Sequence, residues 1–275
     1  MAAVRLAVLG SPIAHSLSPT LHRAAYEVLG LDWEYEAVEL AGSELGAFIS
    51  SRDASWRGLS LTMPLKRDVI PLLTGVSELV RETGSANTVR FDGARLTGFN
   101  TDVFGITEAF ARHHRPHLGS VLILGGGATA ASALVAASRL GARTAFVGVR
   151  APEGASTLRQ IGRAVGVTVL VRRLDEVLQI DEALDAVIST LPNGVDVAVD
   201  IDRDVVLDAT LFDVAYSPWP TPLAAGWHGD DIIGGLEMLV LQALAQVRVF
   251  VSGDPDVHLD DEDRVLAAML AAVGL

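Results

Sequence analysis

The chain has 275 residues, of which 50% are hydrophobic and 20% are charged, and its formal net charge is −13. This composition is typical of a globular protein, and the length allows one large domain or two smaller ones. The absence of cysteine excludes disulfides, thiolate metal sites and a cysteine nucleophile, and the acidic balance argues against nucleic acid as a partner.

Lysine is almost absent from the chain. Of the 21 basic residues only Lys66 is a lysine, and the other twenty are arginines. An arginine stays protonated, whereas a lysine can exchange a proton near neutral pH when its surroundings shift its pKa. Lys66 is therefore a candidate for proton transfer, although a lone lysine followed by Arg67 is also typical of a protein surface.

In chain order, strand-like and helix-like segments alternate, which predicts an α/β fold with largely parallel sheets. The apolar stretch after Arg5 is too short for a signal peptide and favours a buried strand, so we expect a cytoplasmic protein without a membrane span. The first half has predicted strands at 5–10, 33–40 and 58–64, predicted helices at 19–29 and 43–51, a hairpin at 86–100 that turns at Asp92–Gly93, and a helix at 101–112.

The polar segment 113–120 predicts a domain boundary. Its three histidines, His113, His114 and His117, have no acidic residue at metal-ligand spacing, so we expect a solvated linker and no metal site. The second half has a predicted strand that ends at Leu124, an alanine-rich helix, predicted strands at 144–149, 167–172, 186–190, 205–210 and 231–235, a helix at 236–250 and a terminal helix.

A glycine cluster lies between a predicted strand and the alanine-rich helix. Gly125, Gly127 and Ala130 have the spacing of a dinucleotide-binding fingerprint, in which the glycines permit a tight turn and close approach of a pyrophosphate. The next strand ends in Arg150 rather than in Asp or Glu. An arginine there favours the 2′-phosphate of NADP, while NAD stays possible.

Polar side chains also follow strand ends in the first half. Ser16 and Ser18 precede Pro19, and they either start a helix, with Ser18 as the N-cap, or bind an anionic carboxylate there. Asp102 begins the helix at 101–112. Its carboxylate either supports the dipole of that helix or reaches Lys66 and orients it.

Taken together, these motifs resemble the shikimate dehydrogenase family over nearly the whole chain. The matching segments are GSPIAHSLSP (10–19), LTMPLK (61–66), GSANT (84–88), GFNTD (98–102), DVAYSPWPTPL (213–223) and GLEMLVLQA (235–243). The resemblance implies an N-terminal α/β substrate domain (1–102 with 236–275), a Rossmann-type doubly wound NADP-binding domain (103–235), and C-terminal helices that return to the first domain. The implied reaction is the reversible NADP-dependent reduction of 3-dehydroshikimate to shikimate, in aromatic amino-acid biosynthesis.

The resemblance also implies roles for individual residues. Lys66 and Asp102 would form the catalytic pair, with Lys66 as the proton donor. The expected substrate contacts are Ser16, Ser18, Ser60, Thr62, Asn87, Tyr216 and Gln242. The expected cofactor contacts are Gly125, Gly126, Gly127, Ala128, Thr129, Ala130, Arg150, Thr190, Val214, Gly235 and Met238.

The chain departs from the family pattern at several positions. Ser60 stands where Asn is usual, Ala128 stands where a further Gly is common, and only Arg150 remains of a usual Asn-Arg-Thr element. Two alternatives therefore stay open, an NAD-dependent quinate/shikimate dehydrogenase and a catalytically weak ligand-binding paralogue. Both a monomer and a homodimer are compatible with the sequence.

Overall fold

The computed structural model describes residues 3–192, 203–206, 208–229 and 231–275, and its chain divides into two compact units. One unit comprises Met1–Gly105 and Leu239–Leu275, and the other comprises Ile106–Met238. The boundaries lie inside two helices, α5 (Asp102–Arg112) and α10 (Gly235–Ser252), close to the predicted boundaries after residues 102 and 235.

The first unit is built on a mixed six-stranded sheet. Its strands are β1 (Val4–Gly10), β2 (Trp33–Glu39), β3 (Trp56–Leu61), β4 (Gly75–Val76), β5 (Thr88–Asp92) and β6 (Arg95–Phe99), in the spatial order β2-β1-β3-β5-β6-β4. Its other helices are α1 (Ser18–Val28), α2 (Leu45–Ser50), α3 (Leu65–Asp68), α4 (Glu78–Thr83) and α11 (Glu262–Ala272). The strand β1 is parallel to β2 and β3, whereas β5 is antiparallel to β3 and β6.

Both faces of the first sheet are covered, and the sequence of β1 shows why. Leu6 and Val8 pack into one core with α1, α10 and α11, while Ala7 and Leu9 pack into a second core with α2 and α3. Alternate residues of a strand point to opposite faces, so a strand buried on both sides needs a continuous apolar run. The run that predicted a first buried strand therefore occupies the interior of the sheet.

The C-terminal helix α11 is anchored in the first unit by packing and by an ion pair. It packs against α1, which confirms the predicted return of the chain to the first domain. The Arg248 guanidinium of α10 donates to both carboxylate oxygens of Glu262, from Nη2 at 2.6 Å and from Nε at 2.8 Å. Both side chains are largely buried, so this bidentate pair joins α10 to the start of α11.

The second unit is built on a sheet in which all six strands are parallel. Its strands are β7 (Ser120–Leu124), β8 (Thr144–Val149), β9 (Thr168–Arg173), β10 (Ala186–Ser189), β11 (Thr210–Asp213) and β12 (Asp231–Gly234), and its helices include α6 (Ala128–Arg139), α7 (Ser156–Val165), α8 (Arg203–Val206) and α9 (Pro222–Ala225). The spatial order β12-β11-β10-β7-β8-β9 reverses direction between β7 and β10. This is the doubly wound Rossmann order, with its switch point beside β7.

The predicted strand at 205–210 is wrong. Val205 and Val206 belong to the helix α8, and the strand β11 begins only at Thr210. Both valines are buried in the same core as Leu184 and Leu211. A short apolar run suits a buried helix as well as a buried strand, and periodicity cannot separate the two. Residue 207 lies outside the described residues.

The predicted N-cap role of Ser18 is also wrong. Leu17 is the N-cap residue of α1 and makes no side-chain capping hydrogen bond, and Ser18 is already helical. The Ser16 hydroxyl instead accepts a hydrogen bond from the Ser18 backbone N–H at 3.3 Å. The turn before α1 is therefore supported by Ser16, and the Ser18 hydroxyl is not needed for the helix start.

The prediction that segment 113–120 is a solvated linker is wrong for His113. Its Nδ1 lies 2.7 Å from Asp231 Oδ2 and its Nε2 lies 2.9 Å from Glu237 Oε2, whereas His114 and His117 are exposed. The acidic partners are 118 and 124 residues away along the chain, so local spacing could not reveal them. Among the described residues, no group of three or more His, Asp or Glu side chains is arranged to hold a metal ion.

One helix in the described part of the chain, α10, is long and apolar enough to cross a membrane by length and composition alone. Most of this helix is buried inside the protein, with Val240, Leu244 and Val247 in the core of the first unit. Burial of this kind is typical of a core helix.

We expect Glu262→Ala to lower the free energy of unfolding by about 3 kcal/mol, because it leaves the buried Arg248 guanidinium without its carboxylate partner. Asp261→Asn is the matched control, since the ion pair of Asp261 with Arg264 is exposed and its loss should change the free energy by less than about 0.5 kcal/mol. Urea denaturation of the three proteins measures both values. Equal destabilisation by the two substitutions would contradict the anchoring role of Glu262.

Candidate active site

One edge of the first sheet collects the polar residues that the sequence analysis singled out. In the register of the sheet, Ser60 of β3 lies opposite Thr88 of β5, and Thr88 lies opposite Phe99 of β6. The end of β3, the start of β5 and the end of β6 therefore lie side by side. Lys66 follows β3, Asn87 precedes β5 and Asp102 follows β6, so the antiparallel pairing brings these residues together.

Lys66 and Asp102 form an ion pair in which Nζ lies 2.6 Å from Oδ2. The Lys66 side chain is 14% exposed and that of Asp102 is 4% exposed. Asn100 accepts hydrogen bonds from the backbone N–H groups of Asp102 at 3.1 Å and Val103 at 3.4 Å, so Asn100 serves the start of α5. The Asp102 carboxylate makes the predicted contact with Lys66, and its place in the first turn of α5 also puts it at the positive end of that helix dipole.

Asn87 connects the ion pair to its surroundings. Its Nδ2 lies 2.8 Å from Asp102 Oδ1, 2.8 Å from Thr101 Oγ1 and 3.3 Å from Gln242 Oε1. Its Oδ1 accepts from the Thr101 backbone N–H at 2.9 Å and from the Thr88 hydroxyl at 2.8 Å. Partners on both ends of the amide fix its orientation, so Asn87 always presents a donor to Asp102.

The other expected substrate residues are divided between the units. Ser16, Ser18, Thr62 and Gln242 lie in the first unit with Lys66, and Tyr216 lies in the second unit. Burial raises the pKa of the Tyr216 hydroxyl above its usual value. The structure thus brings Asn87 and Gln242 into contact with the ion-pair cluster. Ser16 stands on the loop after β1, Ser18 is the first residue of α1, and Thr62 follows β3.

Ser60 is bound to the protein interior. Its hydroxyl is donated to Gln246 Oε1 at 2.8 Å and accepts from the Tyr35 hydroxyl at 2.7 Å, and the residue is only 2% exposed. Gln246 in turn donates from Nε2 to the Asn87 carbonyl oxygen at 3.2 Å. Gln246 thus connects Ser60 to Asn87, and neither Gln246 nor Tyr35 lies in a motif that marks it in the sequence.

His22 completes this buried network. Its Nε2 lies 3.1 Å from Gln246 Oε1, its Nδ1 lies 3.1 Å from the Tyr26 hydroxyl, and its ring stacks on Tyr35 with centroids 4.0 Å apart. Burial lowers the pKa of His22 to about 3, although the hydrogen bond with Gln246 opposes the shift. His22 is therefore neutral at physiological pH, with its proton on Nε2 because Gln246 Oε1 can only accept.

The expected cofactor residues follow the strand ends of the second sheet. Gly125 follows β7, Arg150 follows β8, Thr190 follows β10, Val214 follows β11 and Gly235 follows β12. Because all these strands are parallel, their carboxyl ends form one edge of the sheet. In open α/β sheets ligands bind at this edge, beside the switch point.

The glycine loop has the geometry that a dinucleotide needs. Gly125 has a φ of +112°, and a Cβ there would overlap the Thr190 hydroxyl, so only glycine fits. Gly127 is the N-cap of α6, no side chain caps this helix, and a Cβ at Gly127 would meet no atom within 4 Å. Free N–H groups at a helix N-terminus bind phosphates. Ala128 begins the helix and leaves this arrangement intact.

Arg150 is exposed at the end of β8, one residue after Val149. Val149 and Arg150 thus stand at the end of β8, where an NAD site would place a carboxylate. Ala130 is fully buried under the loop, as the packing of α6 on the sheet requires. These residues fit a phosphorylated dinucleotide.

The switch-point glycine loop and the lysine–aspartate pair define a two-unit α/β protein of the dinucleotide-dependent oxidoreductase class. Residues 8–89 match the family model of the shikimate dehydrogenase substrate binding domain. The chain is 34% identical over 267 residues to the shikimate dehydrogenase (NADP(+)) of Ignicoccus hospitalis, with 96% of this chain and 98% of that protein covered. The chain belongs to the shikimate dehydrogenase family.

Solved structures agree with this assignment. The crystal structure of Mycobacterium tuberculosis shikimate dehydrogenase is 35% identical, with a TM-score of 0.82 and coverage of 97% of this chain and 99% of that chain. The Thermus thermophilus enzyme in complex with NADP(H) and shikimate is 27% identical, with a TM-score of 0.79 and coverage of 98% and 99%. The predicted fold class, with a substrate domain and a Rossmann-type domain, is confirmed.

We expect His22→Asn to flatten the loss of stability in acid. The low pKa of folded His22 means that only the unfolded chain takes up this proton below about pH 6.5, which costs up to about 1.4 kcal/mol of stability per pH unit. The free energy of unfolding should therefore fall less steeply between about pH 6 and pH 4 in the variant than in the wild type. Urea denaturation across this range measures the slopes, with the exposed His117→Asn as control. Identical slopes for His22→Asn and wild type would show that His22 does not have a lowered pKa in the folded protein.

Proposed function

We propose that this chain catalyses the reversible NADP-dependent reduction of 3-dehydroshikimate to shikimate, in aromatic amino-acid biosynthesis. The observation that carries the proposal is the ion pair of Lys66 and Asp102 at 2.6 Å, next to Asn87, at one edge of the first sheet. The relatives that are named as NADP(+) enzymes support the coenzyme. The enzyme would act in the cytoplasm as a monomer or homodimer, without nucleic-acid or membrane partners.

The second unit would bind the coenzyme. The N-terminus of α6 would hold the pyrophosphate at Gly125–Ala130, Arg150 would bind the 2′-phosphate, and Thr190, Val214, Gly235 and Met238 would complete the site. Bound NADPH would supply the hydride that reaches the ring ketone. This division of labour makes 1–102 with 236–275 the substrate domain and 103–235 the dinucleotide-binding domain.

Lys66 and Asp102 would carry the proton chemistry. As the ketone carbon gains the hydride, Lys66 Nζ donates a proton to the carbonyl oxygen and the product is the alcohol. Asp102 orients the ammonium group, and Asn87 holds Asp102 from its other oxygen. In the reverse direction neutral Lys66 accepts the hydroxyl proton. An arginine could not take this role, because its guanidinium keeps its proton.

The substrate would be recognised by hydroxyl and amide groups. Ser16 and Ser18, beside and at the start of α1, bind the carboxylate, while Thr62, Asn87 and Gln242 bind the ring hydroxyls. Ser60 would support Asn87 through Gln246 and would not contact the substrate itself, because its hydroxyl already has Tyr35 and Gln246 as partners. A site built of such groups rejects analogues that lack one hydroxyl.

A second candidate keeps the chemistry but changes the specificity to quinate and shikimate with NAD. Its supporting observation is that Arg150 alone remains of the Asn-Arg-Thr element. A third candidate is a paralogue that binds shikimate without turnover. Assays of NADPH or NADH formation with shikimate and quinate, in all four combinations, separate the three. Shikimate binding by calorimetry without any turnover would replace our proposal by the third candidate.

We expect Lys66→Ala to lower kcat by about 10² to 10⁴, the usual contribution of a positioned acid or base. Lys66→Arg should be nearly as damaging, since the charge remains but the proton transfer is lost. The matched control is Arg67→Ala, whose exposed side chain follows Lys66 and should leave kcat unchanged. Steady-state kinetics measure the three variants. Full activity of Lys66→Arg would show that Lys66 is not the proton donor.

We expect Arg150→Ala to raise the KM for NADP⁺ by about tenfold or more and to leave the KM for NAD⁺ unchanged, because a charge-assisted bond to the 2′-phosphate is lost. Arg143→Ala is the control, since the exposed Arg143 stands at the end of β8 opposite to Arg150. Parallel kinetics with both coenzymes measure the effect. If the KM values for both coenzymes rise equally, Arg150 does not read the 2′-phosphate.

A further inference from the structure

His113 lies in the second unit, directly after α5, and both of its ring nitrogens face carboxylates. Nδ1 lies 2.7 Å from Asp231 Oδ2, and Nε2 lies 2.9 Å from Glu237 Oε2. Asp231 is the first residue of β12, and Glu237 is in the first turn of α10. The ring therefore connects the end of one helix to a strand and to the helix that follows this strand.

These contacts require a proton on both ring nitrogens. A neutral imidazole donates from only one nitrogen, and the other would turn its lone pair toward a carboxylate oxygen. Arg112 is the other cation at this position, with Nε 3.0 Å from Glu237 Oε1. With His113 charged, two cations face two carboxylates and the cluster is neutral. With His113 uncharged, one negative charge is uncompensated.

The pKa of His113 agrees with this geometry. Partial burial disfavours the charged form, but the hydrogen bonds with Glu237 and Asp231 and the charges of both carboxylates outweigh it, and the pKa is raised. Asp231 and Glu237 contact His113 directly, and Arg112 contacts Glu237. The stabilisation by His113 is thus complete below about pH 6.5 and is lost as the pH rises through the raised pKa.

The segment that His113 holds contains two expected cofactor residues. Gly235 lies between Asp231 and Glu237, and a Cβ there would overlap the backbone carbonyl of Val214 at the end of β11. The first turn of α10 is therefore packed directly on the end of β11. Met238 follows Glu237 in the same turn. A shift of this turn would move Gly235 and Met238 together.

We propose that protonated His113 is a positioning residue for the coenzyme. His113 holds the first turn of α10, with Gly235 and Met238, against the end of β11. The inference rests on the proposed function, because it takes these two residues as coenzyme contacts. His113 itself touches neither coenzyme nor substrate in this proposal. Its effect is on coenzyme affinity, and it depends on pH.

The test measures the dissociation constant of NADP⁺ by calorimetry and the KM of shikimate, at several values between about pH 6 and pH 9. Three variants are compared with the wild type. His113→Gln removes the charge, His113→Arg keeps a cation at every pH, and His117→Gln changes an exposed histidine of the same segment. The ratio of variant to wild-type affinity at each pH removes the titration of the coenzyme phosphate itself.

At low pH we expect His113→Gln to weaken NADP⁺ binding by about threefold to tenfold, with the KM of shikimate unchanged. The difference from wild type should vanish at high pH, where the wild-type ring is neutral. His113→Arg should bind better than wild type at high pH, and His117→Gln should match wild type throughout. A general structural defect would instead change both the dissociation constant of NADP⁺ and the KM of shikimate at every pH.

Hydrogen exchange of the amides at 235–240 provides a readout without any ligand. After correction for the intrinsic pH dependence, wild-type exchange should accelerate as His113 loses its proton, while His113→Arg should stay protected. A constant affinity ratio, or exchange protection that does not change with pH, overturns the role of His113. If wild type binds NADP⁺ but reduces no substrate, the proposed function fails while the affinity ratios still decide this inference.

Discussion

The ion pair of Lys66 and Asp102 joins two strand ends of the first sheet, and its desolvation must be offset by the groups around it. Removing two charges from water costs several kcal/mol per ion unless close geometry and further hydrogen bonds compensate. Here Asn87 satisfies the second oxygen of Asp102, and the N-terminus of α5 adds a favourable dipole. Asn87 is itself fixed by Thr88 and Thr101. The pair thus explains why buried polar residues concentrate at this edge.

The same constraint, that paired strands bring their ends to one edge, organises both units. In the first unit antiparallel pairing of β3, β5 and β6 brings the segments of Lys66, Asn87 and Asp102 together. In the second unit purely parallel pairing aligns the carboxyl ends of five strands from β12 to β8. Glycines allow the closest approaches, at Gly125 beside Thr190 and at Gly235 beside Val214. Long loops are not needed to bring the proposed catalytic and coenzyme-binding residues together, because strand pairing places the ends of the strands at one edge of each sheet.

A second polar network lies behind the first and gives the departure at Ser60 a physical meaning. His22, Tyr35, Ser60 and Gln246 exchange hydrogen bonds in the interior, and Gln246 reaches the carbonyl of Asn87. Buried polar groups are tolerated when every member has a partner, and such networks favour a unique arrangement. A serine fits here because Tyr35 supplies one partner and Gln246 the other. The serine at position 60, where the family usually has Asn, therefore helps to hold Asn87 in place through Gln246.

The sequence by itself determined the α/β class, the glycine loop before α6 and the family motifs, because these depend on residue type and short spacing. It also made Lys66 and Asp102 candidates, through residue type and the family resemblance. It failed where contacts span the chain, as at His113, which looked like part of a solvated linker although its acidic partners lie more than a hundred residues away. It also failed at Val205 and Val206, which form a helix in place of the predicted strand because a short apolar run suits either element. The tertiary structure decided which polar residues pair, as with His22 and Gln246, separated by 224 positions. Such pairings depend on strand register and helix packing, which no local pattern encodes.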